Sequence, residues 1–306
     1  MVERRPGVMP PKPGPPPRQV SRRKIVQRRL LALGGVALAA LVVFALVKVT
    51  GRSSSAPPPT TAPIVFAKPF RIVFPEGFNR EEMAHRVQVV AKIAQGKSKK
   101  RVRLSRTGYL AWSRPRAVPG FGSKRRNLEG FLFPATYDFL AGTTSKLLVE
   151  EQLEAFRVNW GKIDLSYARK KNLTPYDVLI IASLVEKEAL APDERPLIAA
   201  VIYNRLHERM NLGIDATTRY GLHVPGNKSL RQSQLQSDNP YNTRNPNIVG
   251  LTPTPIANPG LASMQAAAHP AKVGYLYFVR KPDKVHHYFT RSYQDFINHQ
   301  IAYGYK

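Results

Sequence analysis

Glu186 and Glu188 flank Lys187 where an apolar run, residues 178–185 (VLIIASLV), gives way to polar sequence. Thr174, Pro175 and Asp177 just upstream have the pattern of a helix start: a hydroxyl N-cap, proline at the first helical position and an acid in the first turn. With Ser183 as its one hydroxyl, the run predicts a helix apolar on nearly every side and therefore buried. A carboxylate at the end of such a helix is partly desolvated, which disfavours its charged form and raises its pKa. An acid still protonated near neutral pH is what proton donation to a glycosidic oxygen requires. The plainer reading makes EKE the solvated end of a core helix, and the rest of the chain has to decide between the two.

The elements around this helix narrow the choice. Residues two apart on a helix point about 200° away from each other, so Glu186 and Glu188 cannot both face one cleft. Glu188 continues the stripe of Ile181, Leu184 and Val185, whereas Glu186 stacks over Ala182 and Ser183. Glu188 is thus the candidate acid and Glu186 a structural carboxylate. After Met210 the sequence turns loop-rich, with DATTRYG at 215–221, NPYNT at 239–243 and PTPIANPG at 253–260. Polar loops over a helical scaffold are where binding groups usually sit. Asp215, Thr217, Asn242 and Thr243 could hydrogen-bond sugar hydroxyls and acetamido groups, and Tyr220 and Tyr241 could stack on pyranose rings. The alternative is that Asp215 and Asn242 cap helices or close turns.

Several chemistries lack support. The chain has no cysteine, which removes disulfides, a thiolate nucleophile and Cys-ligated metal. Its seven histidines are scattered, His286 and His287 are adjacent rather than a turn apart, and no HExxH occurs, so no metal site is expected. There is no GxSxG elbow, Walker loop or GxGxxG. The net charge of +27 is concentrated in residues 1–29 and 97–126, and the second stretch carries no acid. Such runs suit a membrane-proximal surface, anionic wall polymers or lipid head groups. Nucleic acid is not an expected partner, because 97–126 interleaves only Tyr109, Trp112 and Phe121 with its basic residues.

Residues 30–47 (LLALGGVALAALVVFALV) are apolar or glycine throughout. At helical rise they cover about 27 Å, and 30–49 is read as a transmembrane helix. The run exceeds the h-region of a signal peptide and no small-x-small cleavage site follows. Arg22, Arg23, Lys24, Arg28 and Arg29 precede it, against Lys48 and Arg52 behind, so the positive-inside rule puts residues 1–29 in the cytoplasm as a disordered basic tail. Residues 50–63, rich in Pro, Ser and Thr, form a semi-extended linker to an extracytoplasmic body.

In the body, FRIVF at 70–74 reads as a strand, and Asn79 with Glu82 caps a helix through Ala91 to Ala94. Further helices are expected at 145–157, at 175–188, from Asp193 through Leu206, and at 263–268. The end is a strand pair, YLYFV at 275–279 with HYFT at 287–290. The body is therefore α+β: a small strand–helix module at 64–120, then a mainly helical domain at 121–306 with a loop-rich groove and a short C-terminal sheet.

ASLVEKEA, ER with IAAVIYNRL, DATTRYG, NPYNT, PIANPG, AAAHPA with YLYFV, and H-x-F-T occur in the order and spacing of the YceG-like endolytic murein transglycosylases, which this chain resembles over roughly residues 125–295. LEGFLFPATY matches a further motif of that family around Glu129. The small module resembles the family's LysM-like unit. Departures fall at Ala135, Arg244, Thr252 and Thr254, where the family commonly has Asp, an aromatic, Pro and Gly. The resemblance implies cleavage of MurNAc–GlcNAc bonds in peptidoglycan glycan strands to leave 1,6-anhydro ends, with no metal or cofactor. The family's catalytic position falls on Glu188, and Glu129, Asp215, Thr217, Tyr220, Tyr241, Asn242 and Thr243 become expected substrate-binding residues. The implied setting is a single-pass protein of the cell membrane, beside peptidoglycan synthases or division proteins. A catalytically silent wall-binding scaffold is the competing reading, against which the intact EKE motif counts.

Overall fold

The computed structural model describes residues 68–305. The cytoplasmic tail, membrane span and linker expected at 1–29, 30–49 and 50–63 lie outside the described residues. Among the described residues no helix is long and apolar enough to cross a membrane.

The chain starts with β1 (Phe70–Val73) and the helix α1 (Arg80–Lys97). Asn79 caps α1 as its sequence predicts: its Oδ1 accepts from the Glu82 N–H at 2.9 Å, and the Glu82 carboxylate accepts from the Asn79 N–H at 2.8 Å. A short α2 (Arg106–Trp112) follows inside the basic stretch, started by the Ser105 hydroxyl. Then comes β2 (Thr136–Phe139), antiparallel to β1 with Phe70 opposite Phe139 and Val73 opposite Thr136. A lone strand leaves its backbone groups unpaired, and β1 finds its partner beyond residue 120. The boundary expected there is therefore crossed by the first sheet, and residues Phe66–Lys306 form one compact unit.

Next come α3 (Ser145–Trp160), α4 (Ser166–Lys170) and α5 (Pro175–Glu188). Helix α5 begins on a reciprocal cap, in which the Thr174 hydroxyl accepts from the Asp177 N–H and the Asp177 carboxylate accepts from the Thr174 N–H at 2.8 Å. Every residue from Val178 to Val185 is buried, so α5 is the axis of the core. Burying each Leu or Ile stabilises by roughly 1.5–3 kcal/mol. Ser183 is accommodated because its hydroxyl donates to the Ile180 carbonyl at 2.7 Å and accepts from the Ile256 N–H at 3.1 Å. The one hydroxyl of the run thus pins the PTPIANPG loop to the central helix.

A 3-10 turn (Pro192–Glu194) leads into α6 (Arg195–His207); α7 (Asp215–Gly221), α8 (Gln232–Leu235) and α9 (Leu261–Ala268) follow, with α9 and α6 packed on α5. The DATTRYG segment expected as loop is α7. Threonines and glycine are poor helix formers, but burial of Thr217 and Thr218 overrides propensity there. The C-terminal hairpin pairs β3 (Tyr277–Arg280) with β4 (His287–Thr290), setting Arg280 opposite His287. The helix α10 (Tyr293–Ala302), which the sequence reading did not anticipate, packs on that hairpin. Buried His287 is fixed by Glu194, which accepts from its N–H at 2.7 Å and bonds its Nδ1 at 2.6 Å. That contact ties the hairpin, and with it Arg280, to the start of α6.

Candidate active site

Glu188 is the last residue of α5 and faces a pocket of about 570 Å³. The pocket is walled by the turn before α7, by β3 and by α10. No described residue donates a hydrogen bond to the Glu188 carboxyl. Its backbone carbonyl accepts from an Arg280 Nη at 3.4 Å. Burial pushes the carboxyl up to about 7; Arg280 pulls the other way, Asp215 adds to the rise, and Arg244 and Lys187 oppose it. The site therefore holds an acid that is half protonated near neutral pH, open to the pocket, with its bonding capacity unspent.

Asp215 opens α7 and is ion-paired to Arg244. The turn carrying Asp215 is held from behind by three residues that the sequence offered as binding groups. The Thr243 hydroxyl accepts from the Ile214 N–H at 3.0 Å, and its carbonyl accepts from the Gly213 N–H at 2.8 Å. Thr217 donates to the Ile214 carbonyl and sits 2.9 Å from the Thr243 hydroxyl. The Asn242 amide donates to the Leu235 and Ser237 carbonyls, while its oxygen accepts from the Thr218 hydroxyl at 2.9 Å. Thr217, Asn242 and Thr243 are fully buried. They position Asp215 and Arg244, and they do not line the pocket.

Glu129, also expected to bind substrate, lies elsewhere and is sealed. It is 2% exposed. Its carboxylate accepts from the Arg80 N–H at 2.9 and 3.1 Å, capping α1 from a distance of 49 residues in sequence. It also accepts from the Tyr220 hydroxyl at 3.1 Å and from the Asn258 amide at 3.0 Å. The Asn258 oxygen in turn accepts from the N–H groups of Gly130 and Leu132. Tyr220 packs on Tyr241, with ring centroids 5.1 Å apart, and the Tyr241 hydroxyl bonds Thr254 at 2.9 Å. Glu129 is thus a brace joining α1, α7 and the PTPIANPG loop, because a buried carboxylate must spend its lone pairs on internal donors.

Glu186 points to a third environment. Its carboxylate accepts from the Gly260 N–H at the start of α9 at 2.9 Å. Glu76 lies against the same glycine, where a Cβ would run into the Glu76 carboxylate. Burial raises the Glu76 pKa, and the Glu186 charge raises it further. Lys187 donates to the Gly77 carbonyl at 3.2 Å, so the β1–α1 turn is docked on the EKE segment.

Sequence reasoning missed the far wall of the pocket. Arg205 from α6 donates to the carbonyls of Leu276 at 2.6 Å and Leu212 at 2.7 Å, holding hairpin and turn together. Tyr277 and Phe296 stack with centroids 5.3 Å apart, and Tyr293 beside them is 61% exposed. The YLYFV strand gave one signal for this wall, but nothing in local pattern marks α10 as lining a site.

A mixed α+β body is built around one buried helix, and Glu188 at that helix's end faces the pocket. The YceG-like family model matches residues 60–301, and the chain belongs to that family. An endolytic murein transglycosylase of Bacillus subtilis is 40% identical over 154 residues, which make up 50% of this chain and 42% of that protein. An endolytic murein transglycosylase of Streptococcus pneumoniae is 37% identical over 177 residues, covering 56% and 31%. The matched part is thus less than half the length of either relative. A crystal structure of a putative yceG-like protein from Listeria monocytogenes superposes with a TM-score of 0.61 at 30% identity, covering 76% of each chain.

Proposed function

We propose that this chain is an endolytic peptidoglycan lytic transglycosylase, cleaving MurNAc–GlcNAc bonds within glycan strands. The observation that carries the reading is Glu188: an acid pushed up to about 7 by burial, facing an open pocket, its carboxyl without a hydrogen-bond partner among the described residues. Most glycosidases need a second carboxylate as base or nucleophile. Asp215 is the one other acid in the pocket, and it is engaged by Arg244. One carboxyl suffices for an intramolecular route. Glu188 gives its proton to the leaving O4 as the C1–O4 bond breaks. The resulting carboxylate then takes the proton of the C6 hydroxyl as O6 bonds to C1. The sugar ends as a 1,6-anhydro ring and the acid is regenerated, so no water is consumed.

The anchored topology is part of the same proposal. It is supported by the apolar run 30–47, by the excess of Arg and Lys before it, and by the linker behind it. The β1–α1–α2–β2 unit is read as the LysM-like wall-binding module. It is closed by β2 rather than ending at residue 120. An enzyme tethered this way works on nascent strands close to their synthases and helps to set glycan length.

Digesting purified sacculi with the chain and separating the muropeptides tests the activity. Anhydro-MurNAc ends released from strand interiors are expected, and hydrolysed reducing ends would overturn the reading. A reporter fused after Lys306 is expected to be active only outside the cytoplasm.

A further inference from the structure

The pocket that holds Glu188 carries more positive charge than its own carboxylates offset. Three arginines line it, Arg205, Arg244 and Arg280, against the carboxylates of Asp215 and Glu188. Once Glu188 is protonated for its acid role, Asp215 is the only anion left. Arg205 is accounted for, since its donors are taken by the Leu276, Leu212 and Asn211 carbonyls. The other two are not. Arg280 makes a single long contact, 3.4 Å to the Glu188 carbonyl, and no ion pair with any described carboxylate. Arg244 spends its Nε on Asp215 and leaves both Nη groups without a partner among the described residues. A guanidinium presents its donors as a planar fork matched to a carboxylate.

These two cations also work against the acid, because their charge favours ionised Glu188. A site that needs a protonated carboxyl gains from them only when something else neutralises them.

Resting on the transglycosylase reading, we propose that Arg244 and Arg280 form an anion subsite that grips a carboxylate carried by the muramyl sugar beside the scissile bond. The carboxylate is that of the lactyl group where no peptide is attached, or of the stem peptide where one is. Binding it neutralises the pair, so the right substrate also removes the field that would ionise Glu188. Charge recognition and acid strength are thereby coupled in one pocket. The aromatic ledge of Tyr277 and Phe296 lies alongside to receive the sugar ring.

The test uses the full chain in detergent and three sets of otherwise identical glycan strands. One set is stripped of peptide, one bears stem peptides with free carboxylates, and one bears the same peptides with every carboxylate capped as an amide. Free-acid strands are expected to exceed capped strands by about tenfold or more in kcat/KM, the size of one or two charge-assisted hydrogen bonds. The stripped strands tell lactyl from stem-peptide recognition. In Arg244→Gln/Arg280→Gln the ratio between free-acid and capped strands should fall to about one. The upper pH limb of kcat should lie higher for free-acid than for capped strands in the unsubstituted chain, and coincide in the double variant. Equal rates on free-acid and capped strands would overturn the subsite, as would a double variant that loses both in equal proportion. If no anhydro ends form from any strand, the activity reading fails by itself. Calorimetry of the same strands on Glu188→Gln then still decides the subsite: tighter binding of free-acid strands supports it and equal affinity overturns it.

Discussion

Glu129 and Glu188 are both pushed up to about 7, both chiefly by burial, and they sit in opposite surroundings. Around Glu129 three donors, the Arg80 N–H, the Tyr220 hydroxyl and the Asn258 amide, converge on the carboxylate and spend it. Around Glu188 none does, and the charges near it stand off across an open pocket. A raised pKa therefore does not separate a catalytic acid from a structural brace. Unspent bonding capacity and access do. Burial supplies the shift in both cases, and of the two only Glu188 opens onto a pocket.

The comparison breaks most easily at Glu188. Glu188→Gln should lower anhydro-end formation by about 10²–10⁴, the range for removing a general acid, while thermal unfolding stays close to that of the unsubstituted chain. Substantial activity in a folded Glu188→Gln protein would take the acid role from this residue. Glu129→Ala should do the reverse. It strands the Arg80 N–H and the Asn258 amide in the interior, at about 1–3 kcal/mol for each group left unsatisfied. A urea midpoint well below that of the parent is expected, with activity following the folded fraction. A Glu129→Ala protein that is fully stable but inactive would move Glu129 into the binding machinery and erase the contrast.

pH sharpens it further. Each glutamate binds its proton more tightly folded than unfolded, because the folded pKa of about 7 lies above the ordinary value of 4.5. The stability each contributes is therefore fully present below pH 4.5 and is lost as pH rises through 7. Unfolding scans from pH 5 to pH 8 should show a falling midpoint, with a shallower fall in Glu129→Gln and in Glu188→Gln alike. Activity separates the two. The alkaline limb of kcat/KM near 7 should persist in Glu129→Gln, since that limb reports Glu188. If the limb disappears with Glu129, the titrating acid has been misplaced.

Sequence reached the scaffold more fully than the site, for reasons that differ residue by residue. The Thr174 and Asn79 caps, the buried α5 and the terminal hairpin were legible because each rests on local pattern: a cap three residues from its acid, an apolar run, an alternating pair of strands. The partner of β1 was not, since pairing with residues 136–139 is a long-range event that no local pattern announces. Glu188 stood out by its place at the end of an apolar helix. Thr217, Asn242 and Thr243 share a neighbourhood with it, but their direction was illegible. A polar side chain in a loop motif reads the same whether it faces a ligand or turns inward to hold the loop. Arg205 stood within the IAAVIYNRL motif without showing its direction, Arg280 carried no signal beyond being basic in a chain with many such residues, and only the fold gathers them beside Glu188.

Glu186 gives the smallest effect and the finest discrimination, because it lies two residues from the candidate acid on the same helix. Its carboxylate accepts from the Gly260 N–H, and Glu76 crowds the same point. In Glu186→Gln the amide oxygen can still accept that bond, so the contact survives as a neutral rather than a charge-assisted one, a loss of about 1 kcal/mol. Removing the charge also relieves Glu76, whose pKa is held up partly by Glu186. The two effects have opposite sign, so the unfolding midpoint should move little and anhydro-end formation should remain easily measured. Glu186→Ala, which leaves the Gly260 N–H without its acceptor, should cost more stability than Glu186→Gln and still cleave. The informative failure is a folded, inactive Glu186→Gln beside an active Glu188→Gln. That pair of results would mean that the helix presents its other face to the glycan, and that the unpartnered carboxyl of Glu188 looks into a pocket the substrate does not enter.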